Sequence, residues 1–539
     1  MKAKYIIIIS IALSSIFSSC SDYLDLEPVD GVIVNKFWKN KEEVRDALMG
    51  SYASMMTTGV MQNFIIWGEL RADLVKPRVS AASLSTMSHF QNGDISSTMG
   101  YVSWGGFYTV INNCNTVLAF AKETQLIDES FTDQLLSEYE AEAISIRALM
   151  YFYLVRTFKD VPYITQASLS DAQNYKVPKM DGEQILDSLI VDLKKIDRLQ
   201  NGTLRGIPFT YGSDVRMNKG RFTVWSLKAL LADIYLWKGE YENSINELNQ
   251  IINSGQFTLT PVSNTPIEQV DIFGNAFTVF YPSEGDADNL FLSMYVNGNS
   301  VESILELQFG TDHENPFYNF FNPGNGTMVA NMEVLSADGI FPPSALDRSW
   351  YDIRSEGVNF KQGYVWKWIG TSRTAYTYRP NGMSHSNWIF YRLADIMLMK
   401  AEALCQLGKI NDDVAMLQES LAIVRAIRSR ACAPESTDEI TDDNDINADA
   451  LERFILVERA REFAHEGKRW FDVLRHAKRN NYEDIAYLIE LASFAANPDK
   501  VLSLQNKWIG DYNSHYLPIH EDELRVNTAL TQNPFYSSR

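Results

Sequence analysis

The chain has 539 residues, of which 45% are hydrophobic and 12% are aromatic, and it carries a formal net charge of −20. This hydrophobic content predicts a folded chain with a large buried core and excludes an intrinsically disordered protein. The negative charge excludes nucleic acid as a partner, because phosphate binding requires clustered Lys and Arg side chains.

The first twenty residues follow the pattern of a secreted lipoprotein. Lys2 and Lys4 precede an apolar run over residues 5–17, and two serines lead into Cys20. The run is shorter than the roughly 20 apolar residues that a membrane-spanning helix needs. The pattern predicts a signal peptide over residues 1–19 and a lipidated N-terminus at Cys20. Ordinary secretory cleavage beside an incidental cysteine is the alternative.

Long amphipathic helices dominate the rest of the sequence. No linker rich in Pro, Ser or Gly divides residues 20–539, so we expect them to form a single unit. Apolar residues recur at helical spacing near residues 40–57, 104–124, 132–158, 183–198, 219–254, 388–430 and 450–479.

The stretch 219–254 has the residue spacing of a tetratricopeptide helical hairpin, in which large and small side chains of paired helices interlock. The matching residues are Leu231, Ala232, Tyr235, Gly239, Tyr241, Leu248 and Ile251. Between about residues 255 and 385 the helical period fades, and short runs such as 303–309 alternate with Pro, Gly and Asn. This pattern predicts a loop-rich part with short strands.

Residues 458–472 are predicted to form one buried helix with an unusual number of charged side chains. Small and apolar residues recur at steps of three and four across this segment. Its charged residues must be paired, because an isolated buried ion is costly. Gly467 is unfavourable inside a helix, and it predicts that a neighbouring backbone packs closely against it.

No motif for catalysis, for a cofactor or for a metal ion is evident. The sequence lacks HExxH, GxSxG and P-loop patterns, and His465 and His476 lie eleven positions apart, which does not suit a shared zinc ion. An EF-hand reading of residues 443–454 fails because Ala448 and Phe454 replace the required Gly and Glu. We therefore predict no cofactor and no metal site.

Three cysteines follow Cys20, and none has a CxxC or zinc-type spacing. Cys114 and Cys405 lie in helical patterns and are expected to be buried small hydrophobic residues. The disulfide state of Cys432 stays open.

Six sequence blocks, in order along the whole chain, resemble the RagB/SusD family of nutrient-uptake outer-membrane lipoproteins, including its starch-binding-associating type. The blocks are residues 20–28, 37–52, 104–115, 140–162, 391–402 and 516–534, and the segment 458–472 resembles the family's C-terminal signature helix.

The resemblance implies a mainly α fold, in which tetratricopeptide-like hairpins form a right-handed superhelical scaffold around a loop-rich ligand-binding part. It implies an N-terminal SusD-like region over about residues 20–255 and a RagB/SusD C-terminal region over about 256–539. It also implies a non-catalytic protein that binds a glycan and delivers it to a TonB-dependent, SusC-like transporter. The bilayer would be a further partner through acylated Cys20, and the acidic residues Asp22, Asp25 and Glu27 resemble the group's surface-export signal.

Sugar binding requires flat aromatic faces beside Asp, Asn and Arg side chains. By the resemblance, the ligand site draws on the loop after the second helix and on later aromatic loops. The candidates are Trp67, Asp73, Arg78, Phe90, Asn92 and Tyr101 in the first loop, and Tyr281, Tyr295, Phe317 and Tyr318 in the later ones. The aromatic-rich stretch 341–392 contributes no candidate, because such residues are more often core than ligand platform.

Three alternatives to glycan capture stay open. The family includes members that serve oligopeptide importers, and an aromatic cleft suits a peptide as well as a sugar. The paired carboxylates of a glycoside hydrolase need no fixed spacing in sequence, so a surface hydrolase is also an alternative. A purely structural helical scaffold is the third.

Overall fold

A computed structural model describes most of the chain from Phe37 onwards. The described residues are 37–78, 86–169, 175–202, 205–270, 274, 276–336, 339–342, 352–434, 437–440, 442–443 and 445–537. The predicted signal peptide and Cys20 lie outside these ranges. Among the described helices, none combines the length and the apolar character needed to cross a bilayer.

The N-terminal part consists of helices that pack side by side. They are α1 (Lys41–Met55), α2 (Thr58–Ile65), α3 (Thr86–Gln91), α4 (Gly105–Ile127) and α5 (Asp133–Phe158). Helix α2 continues as a π-helical turn over Ile66–Leu70, and a 3-10 turn over Gly100–Val102 precedes α4. Helix α1 packs against both α4 and α5. Asn40 caps α1, because its Oδ1 accepts from the amide of Glu43 at 3.0 Å.

A first helical hairpin follows three further helices. The preceding helices are α6 (Gly182–Ile196), α7 (Arg198–Asn201) and α8 (Val215–Gly220), and the hairpin comprises α9 (Val224–Lys238) and α10 (Tyr241–Asn253). Gly239 turns the chain between α9 and α10 with a φ of 79°, which glycine adopts without strain. The hydroxyl of Ser244 donates to Ala232 O at 2.9 Å across the hairpin. The predicted helical hairpin in 219–254 is confirmed.

The middle of the chain is loop-rich, as predicted, with short helices and strands. The helices are α11 (Glu284–Phe291), which continues as a π-helical turn over Leu292–Val296, α12 (Phe317–Phe321), α13 (Met332–Leu335) and α14 (Trp366–Ile369). The strands form antiparallel pairs: β1 (Val75–Pro77) with β5 (Met328–Ala330), β2 (Asn264–Val270) with β3 (Ala276–Pro282), β4 (Ser303–Leu307) with β8 (Trp388–Arg392), and β6 (Phe360–Lys361) with β7 (Tyr364–Val365).

A second hairpin repeats the geometry of the first. It comprises α15 (Leu393–Asn411) and α16 (Val414–Arg430), and α10 packs against α15. The hydroxyl of Ser420 donates to Ala401 O at 2.7 Å, as Ser244 does in the first hairpin. The helices predicted near 388–430 are confirmed as α15 and α16. Strand β8 precedes α15, and a turn at Asp412, with a φ of 52°, separates the two helices.

The C-terminal part closes the core against the N-terminal helices. Its helices are α17 (Ala448–Phe463), α18 (Arg469–Lys478), α19 (Ala486–Ala495), α20 (Val501–Gly510) and α21 (Glu521–Val526), with 3-10 turns over Arg479–Tyr482, Tyr512–His515 and Pro534–Tyr536. Cys114, Cys405 and Cys432 are buried free thiols, so the disulfide considered for Cys432 is not formed in the structure.

The prediction of one continuous helix over 458–472 is wrong. Helix α17 ends at Phe463 and α18 begins at Arg469, and between them His465 and Gly467 have φ values of 68° and 72°. Gly467 therefore lies in a turn that requires left-handed backbone, which glycine adopts without strain. The predicted close backbone is confirmed, since a Cβ on Gly68 would lie only 1.9 Å from Gly467 O.

The predicted pairing of the charged residues is confirmed, and their partners come from distant segments. Arg354 donates to Glu458 Oε1 at 2.6 Å and to Glu462 Oε2 at 3.0 Å. Arg392 donates to Glu462 Oε1 at 2.6 Å and to Glu466 Oε1 at 3.0 Å. We call this set, with Asp352, Lys367, Glu302, Arg428, Arg430 and Arg461, the buried ion network.

Replacing Gly68 tests the contact between the two glycine backbones. Gly68→Ala should lower the free energy of unfolding by about 3 kcal/mol or more, because the new methyl group overlaps backbone that cannot move aside. The midpoint of urea unfolding measures this. Gly50→Ala is the matched control, since Gly50 lies in α1 with nothing within 4 Å of its Cβ position; it should stabilise the protein by about 0.5–1 kcal/mol. Equal midpoints for the two variants would contradict the close contact.

Burial of Glu69 predicts a pH dependence of stability. Burial raises the pKa of Glu69 from 4.5 to about 8, although its Oε1 accepts from the amides of Gly467 and Lys468. Because the folded-state pKa is the higher one, the stabilisation is complete below about pH 4.5 and is lost as the pH rises towards 8. Glu69→Gln should therefore gain stability relative to the wild type between these pH values, measured by urea unfolding. A stability difference between Glu69→Gln and the wild type that does not change with pH would contradict the buried proton. Glu129→Gln, at an exposed position, controls for the lost charge.

Candidate functional site

Two predicted aromatic candidates lie in the core. Trp67 is fully buried, its ring stacks on Phe107 with centroids 4.6 Å apart, and its Nε1 donates to Tyr101 O at 2.7 Å. Phe90 is buried as well, with its ring edge-on to Tyr101. The structure corrects the expectation that these two rings lie in an exposed loop, because a fully buried ring has no surface left for a ligand.

Three predicted candidates with hydrogen-bonding side chains are also buried, and each has an internal partner. Asp73 accepts two bonds from the guanidinium of Arg469, at 2.9 and 3.0 Å. Asn92 Oδ1 accepts from the amide of Asn497 at 2.9 Å, and the hydroxyl of Tyr295 donates to Glu466 at 3.1 Å. The expectation that these side chains face a ligand is corrected in the same way, since their hydrogen bonds hold distant segments together. The further candidate Phe317 is fully buried.

Arg78, Tyr101, Tyr281 and Tyr318 keep partly exposed side chains, so their role in ligand binding stays a prediction. Arg78 follows strand β1, and its guanidinium donates to Pro323 O at 2.5 Å. The same group lies 5.6 Å from the centroid of the Tyr364 ring, over its face. Arg78 is thereby joined to a tyrosine that the sequence did not single out.

Tyr364 begins a row of side chains that continues across the β6–β7 hairpin. Tyr364 pairs directly with Lys361, and directly opposed residues of antiparallel strands project to the same face. The Nζ of Lys361 lies 4.1 Å from the centroid of the Tyr376 ring. The ammonium group also donates to three carbonyls, those of Arg373, Thr374 and Ala375, at 2.8, 3.0 and 3.1 Å.

A hairpin-like loop over residues 369–379 presents Tyr376 and Tyr378. Arg379 N donates to Ile369 O at 2.7 Å, and Gly370 bridges to Tyr378, so the loop closes on itself. Tyr376 and Tyr378 are two positions apart, and the two residues are 64% and 50% exposed. A pair of exposed tyrosines on a closed loop is an accessible apolar surface with hydroxyl groups at its edge.

Hydrogen bonds and an ion pair hold residues 372 and 373 of this loop in place. The amide of Arg373 donates to Asp288 Oδ1 at 2.7 Å, and its guanidinium pairs with Glu284 on α11. Trp366 Nε1 donates to Ser372 O at 2.8 Å. Burial lowers the pKa of Lys361 below its usual value, and nearby Glu356 partly offsets this shift. The ammonium group thus serves as an internal support under Tyr376.

We call Arg78, Tyr364, Lys361, Tyr376 and Tyr378 the aromatic row. Tyrosine faces stack on the C–H face of a pyranose ring, while a guanidinium donates to hydroxyl or carbonyl oxygens. The row has the composition expected of a site that binds polar, ring-shaped ligands. Within the described residues, no group of three or more His, Cys, Asp or Glu side chains is placed to hold a metal ion.

Sequence reasoning found Arg78 but missed the tyrosines of the row. The signal was present in Tyr376 and Tyr378, which alternate with Thr377 between Gly370 and Pro380 as they would in a short exposed strand. The general rule that aromatic residues are more often core excluded them, and it holds for Trp366 and Trp368, which are buried in the same stretch.

Known sequence families match both ends of the chain. A profile described as "SusD family" matches residues 346–536, and one described as "Starch-binding associating with outer membrane" matches residues 22–236. SusD-like protein P38 of Formosa agariphila is 26% identical over 500 residues, which cover 88% of this chain and 91% of that protein. A SusD-like protein of Bacteroides ovatus is 23% identical over 95% of this chain and 86% of its own length.

Solved structures share the fold. A SusD superfamily protein from Bacteroides thetaiotaomicron superposes with a TM-score of 0.66 and 21% identity, covering 93% of this chain and 99% of that one. A SusD-like protein from Bacteroides fragilis gives a TM-score of 0.67 with 18% identity, covering 94% of this chain and 99% of that one. These similarities extend over nearly the whole described chain.

Proposed function

The chain belongs to the SusD family, and from that premise we propose that it binds a glycan at the cell surface and passes it, uncleaved, to a TonB-dependent, SusC-like outer-membrane transporter. One matching profile is described as starch-binding and associated with the outer membrane, which supports a carbohydrate ligand. The role is capture and delivery, not catalysis.

The aromatic row is the observation that carries the ligand-binding part of this proposal. Tyr376 and Tyr378 are exposed, and contacts through Tyr364 and Lys361 connect Arg78 to Tyr376. Because the loop under the tyrosines is fixed by Lys361 and Arg373, little conformational freedom is lost when a ligand binds. A preformed platform of this kind suits repeated capture of a polymer chain.

The anchoring part of the proposal rests on Cys20, which lies outside the described residues. Each buried methylene of an acyl chain contributes about 0.8 kcal/mol, so two or three chains hold a folded domain at a membrane. A tether of this kind keeps the binding protein at high effective concentration beside its transporter.

Removing the exposed rings tests the binding site. Titration calorimetry of the chain from Ser21 onwards against plant, host and microbial polysaccharides should give heat with one glycan class and no new reducing ends. The double variant Tyr376→Ala, Tyr378→Ala should bind that glycan about tenfold more weakly, equivalent to about 1.4 kcal/mol of stacking energy.

Tyr512→Ala is the matched control, because Tyr512 is also exposed and lies outside the row. Unchanged glycan affinity in the double variant would remove the row from the site. Heat with oligopeptides alone would replace the glycan by a peptide, and new reducing ends would show a hydrolase.

Removing the anchor separates capture from delivery. Cys20→Ala should leave the glycan affinity of the purified protein unchanged, because the aromatic row lies in the folded domain, and should reduce glycan uptake by cells. Radiolabelled oligosaccharide uptake measures this, with Ser21→Ala as the control. Normal uptake by Cys20→Ala cells would contradict the anchoring role.

A further inference from the structure

A concave site lies at the N-terminal half of α4, on elements that do not carry the aromatic row. It is a cleft of about 390 Å³, within the size range of small-molecule sites. Three regions form it: the start of α4, the segment after Pro162, and the part of the chain from Glu523 to Leu530. We call it the α4 cleft.

Aromatic and apolar side chains make up the walls of the α4 cleft. Trp104 and Tyr108 stand on one side, with ring centroids 5.6 Å apart, and Tyr175 stands at the rim with 43% of its surface exposed. Ile111 and Leu530 contribute to the apolar lining. Aromatic walls of this kind can contact the carbon skeleton of a ligand, or a cation that lies over the face of a ring.

The polar side chains of the cleft use their N–H and O–H groups internally. Asn112 donates to Ser168 O at 3.3 Å, Asn115 donates to Ile164 O at 3.1 Å, and Asn527 donates to Val177 O at 2.7 Å. The hydroxyl of Tyr108 donates to Pro162 O at 2.6 Å. The side-chain oxygens of the three asparagines also accept internally, from Ser168 N at 2.7 Å, from Arg147 at 2.8 Å and from Ala529 N at 3.1 Å. These asparagines are therefore largely satisfied, and the main polar contact left for a ligand is the carboxylate of Glu523.

Glu523 is the one charged side chain among the described residues that line the α4 cleft. Within the described part of the chain its carboxylate has no ion-pair or hydrogen-bond partner. It lies beside the first residue of α4, since a Cβ on Gly105 would be 3.8 Å from Glu523 Oε1. The positive end of the helix dipole attracts a carboxylate placed there.

The carboxylate is also close enough to influence Tyr108. Burial, together with Tyr151 and Glu523, raises the pKa of Tyr108 well above its usual value. The Tyr108 hydroxyl therefore keeps its proton, which is committed to Pro162 O. The negative charge of Glu523 and the aromatic walls thus act on the same cleft.

From this geometry we infer that the α4 cleft binds an ammonium-bearing ligand of about monosaccharide size, whose N–H groups donate to Glu523 and whose carbon face lies against Tyr108 and Tyr175. An unpaired carboxylate gains a charge-assisted hydrogen bond from an amine, and the aromatic faces add a cation–π contribution. A neutral ligand of the same shape lacks both gains. This site is independent of the proposed glycan capture at the aromatic row.

Calorimetry with three probes of similar size tests the inference. Glucosamine combines the sugar ring with an ammonium group, glucose lacks the charge, and cyclohexylamine keeps the charge without the hydroxyl groups. We expect glucosamine and cyclohexylamine to bind the chain from Ser21 onwards about tenfold more tightly than glucose. Equal affinity for glucose and glucosamine, or no binding of either amine, would overturn the inference.

A charge-neutral variant locates the amine. Glu523→Gln should lose the preference for the amines, while Glu521→Gln, on the same short helix but outside the cleft, should keep it. Tyr175→Ala is a second variant that should weaken both amines without removing a charge. Circular dichroism confirms that each variant is folded. Tight amine binding by Glu523→Gln would place the amine elsewhere and overturn the assignment.

Discussion

The fold depends on keeping the carboxylates of Glu458, Glu462 and Glu466 paired inside the core. Burial alone would raise the pKa of Glu458. The guanidinium groups of Arg354, Arg461 and Arg428 instead lower this pKa to about 2. Each carboxylate meets cations from separate segments, so those segments can dock in only one arrangement. Removing one partner of such a pair costs about 3–5 kcal/mol, whereas an apolar replacement of the whole set would be far less costly. The network therefore specifies the arrangement more than it adds stability.

The same network positions the proposed ligand surface. Arg354 and Lys367 belong to the stretch that carries Lys361, Tyr364 and Tyr376, and both pair with the α17 region. The aromatic row is thus held to the core from one side by ion pairs, and its loop is held by the three carbonyls around Lys361. Rigid support under exposed rings is what allows a loop to bind without first becoming ordered. The buried charges of residues 458–472 are therefore a condition for the exposed site.

Local patterns revealed the helices, the first hairpin and the need for charge pairing, because these depend on residues close in sequence. The turn at residues 464–468 escaped detection, since apolar residues on both sides of it pack into one core and continue the helical period. The sequence places Trp67 and Asp73 in a ligand loop for a related reason. The partner of Asp73 is Arg469, which lies 396 positions away, and no local pattern encodes such a contact. The exposed rings of the row likewise depend on how distant segments cover their neighbours.

The charges of the two proposed sites point to different ligands. In the aromatic row the ammonium group of Lys361 is held by three carbonyls, and the whole protein carries a net charge of −20. A polyanionic glycan would meet this negative field beyond the immediate contact, although salt screens it within about 8 Å. A neutral polysaccharide meets no such opposition, so stacking on Tyr376 and Tyr378 can dominate its binding. The α4 cleft has the opposite requirement, because its lone carboxylate favours a ligand that carries a positive charge. The two surfaces are therefore expected to discriminate between ligands rather than to compete for one.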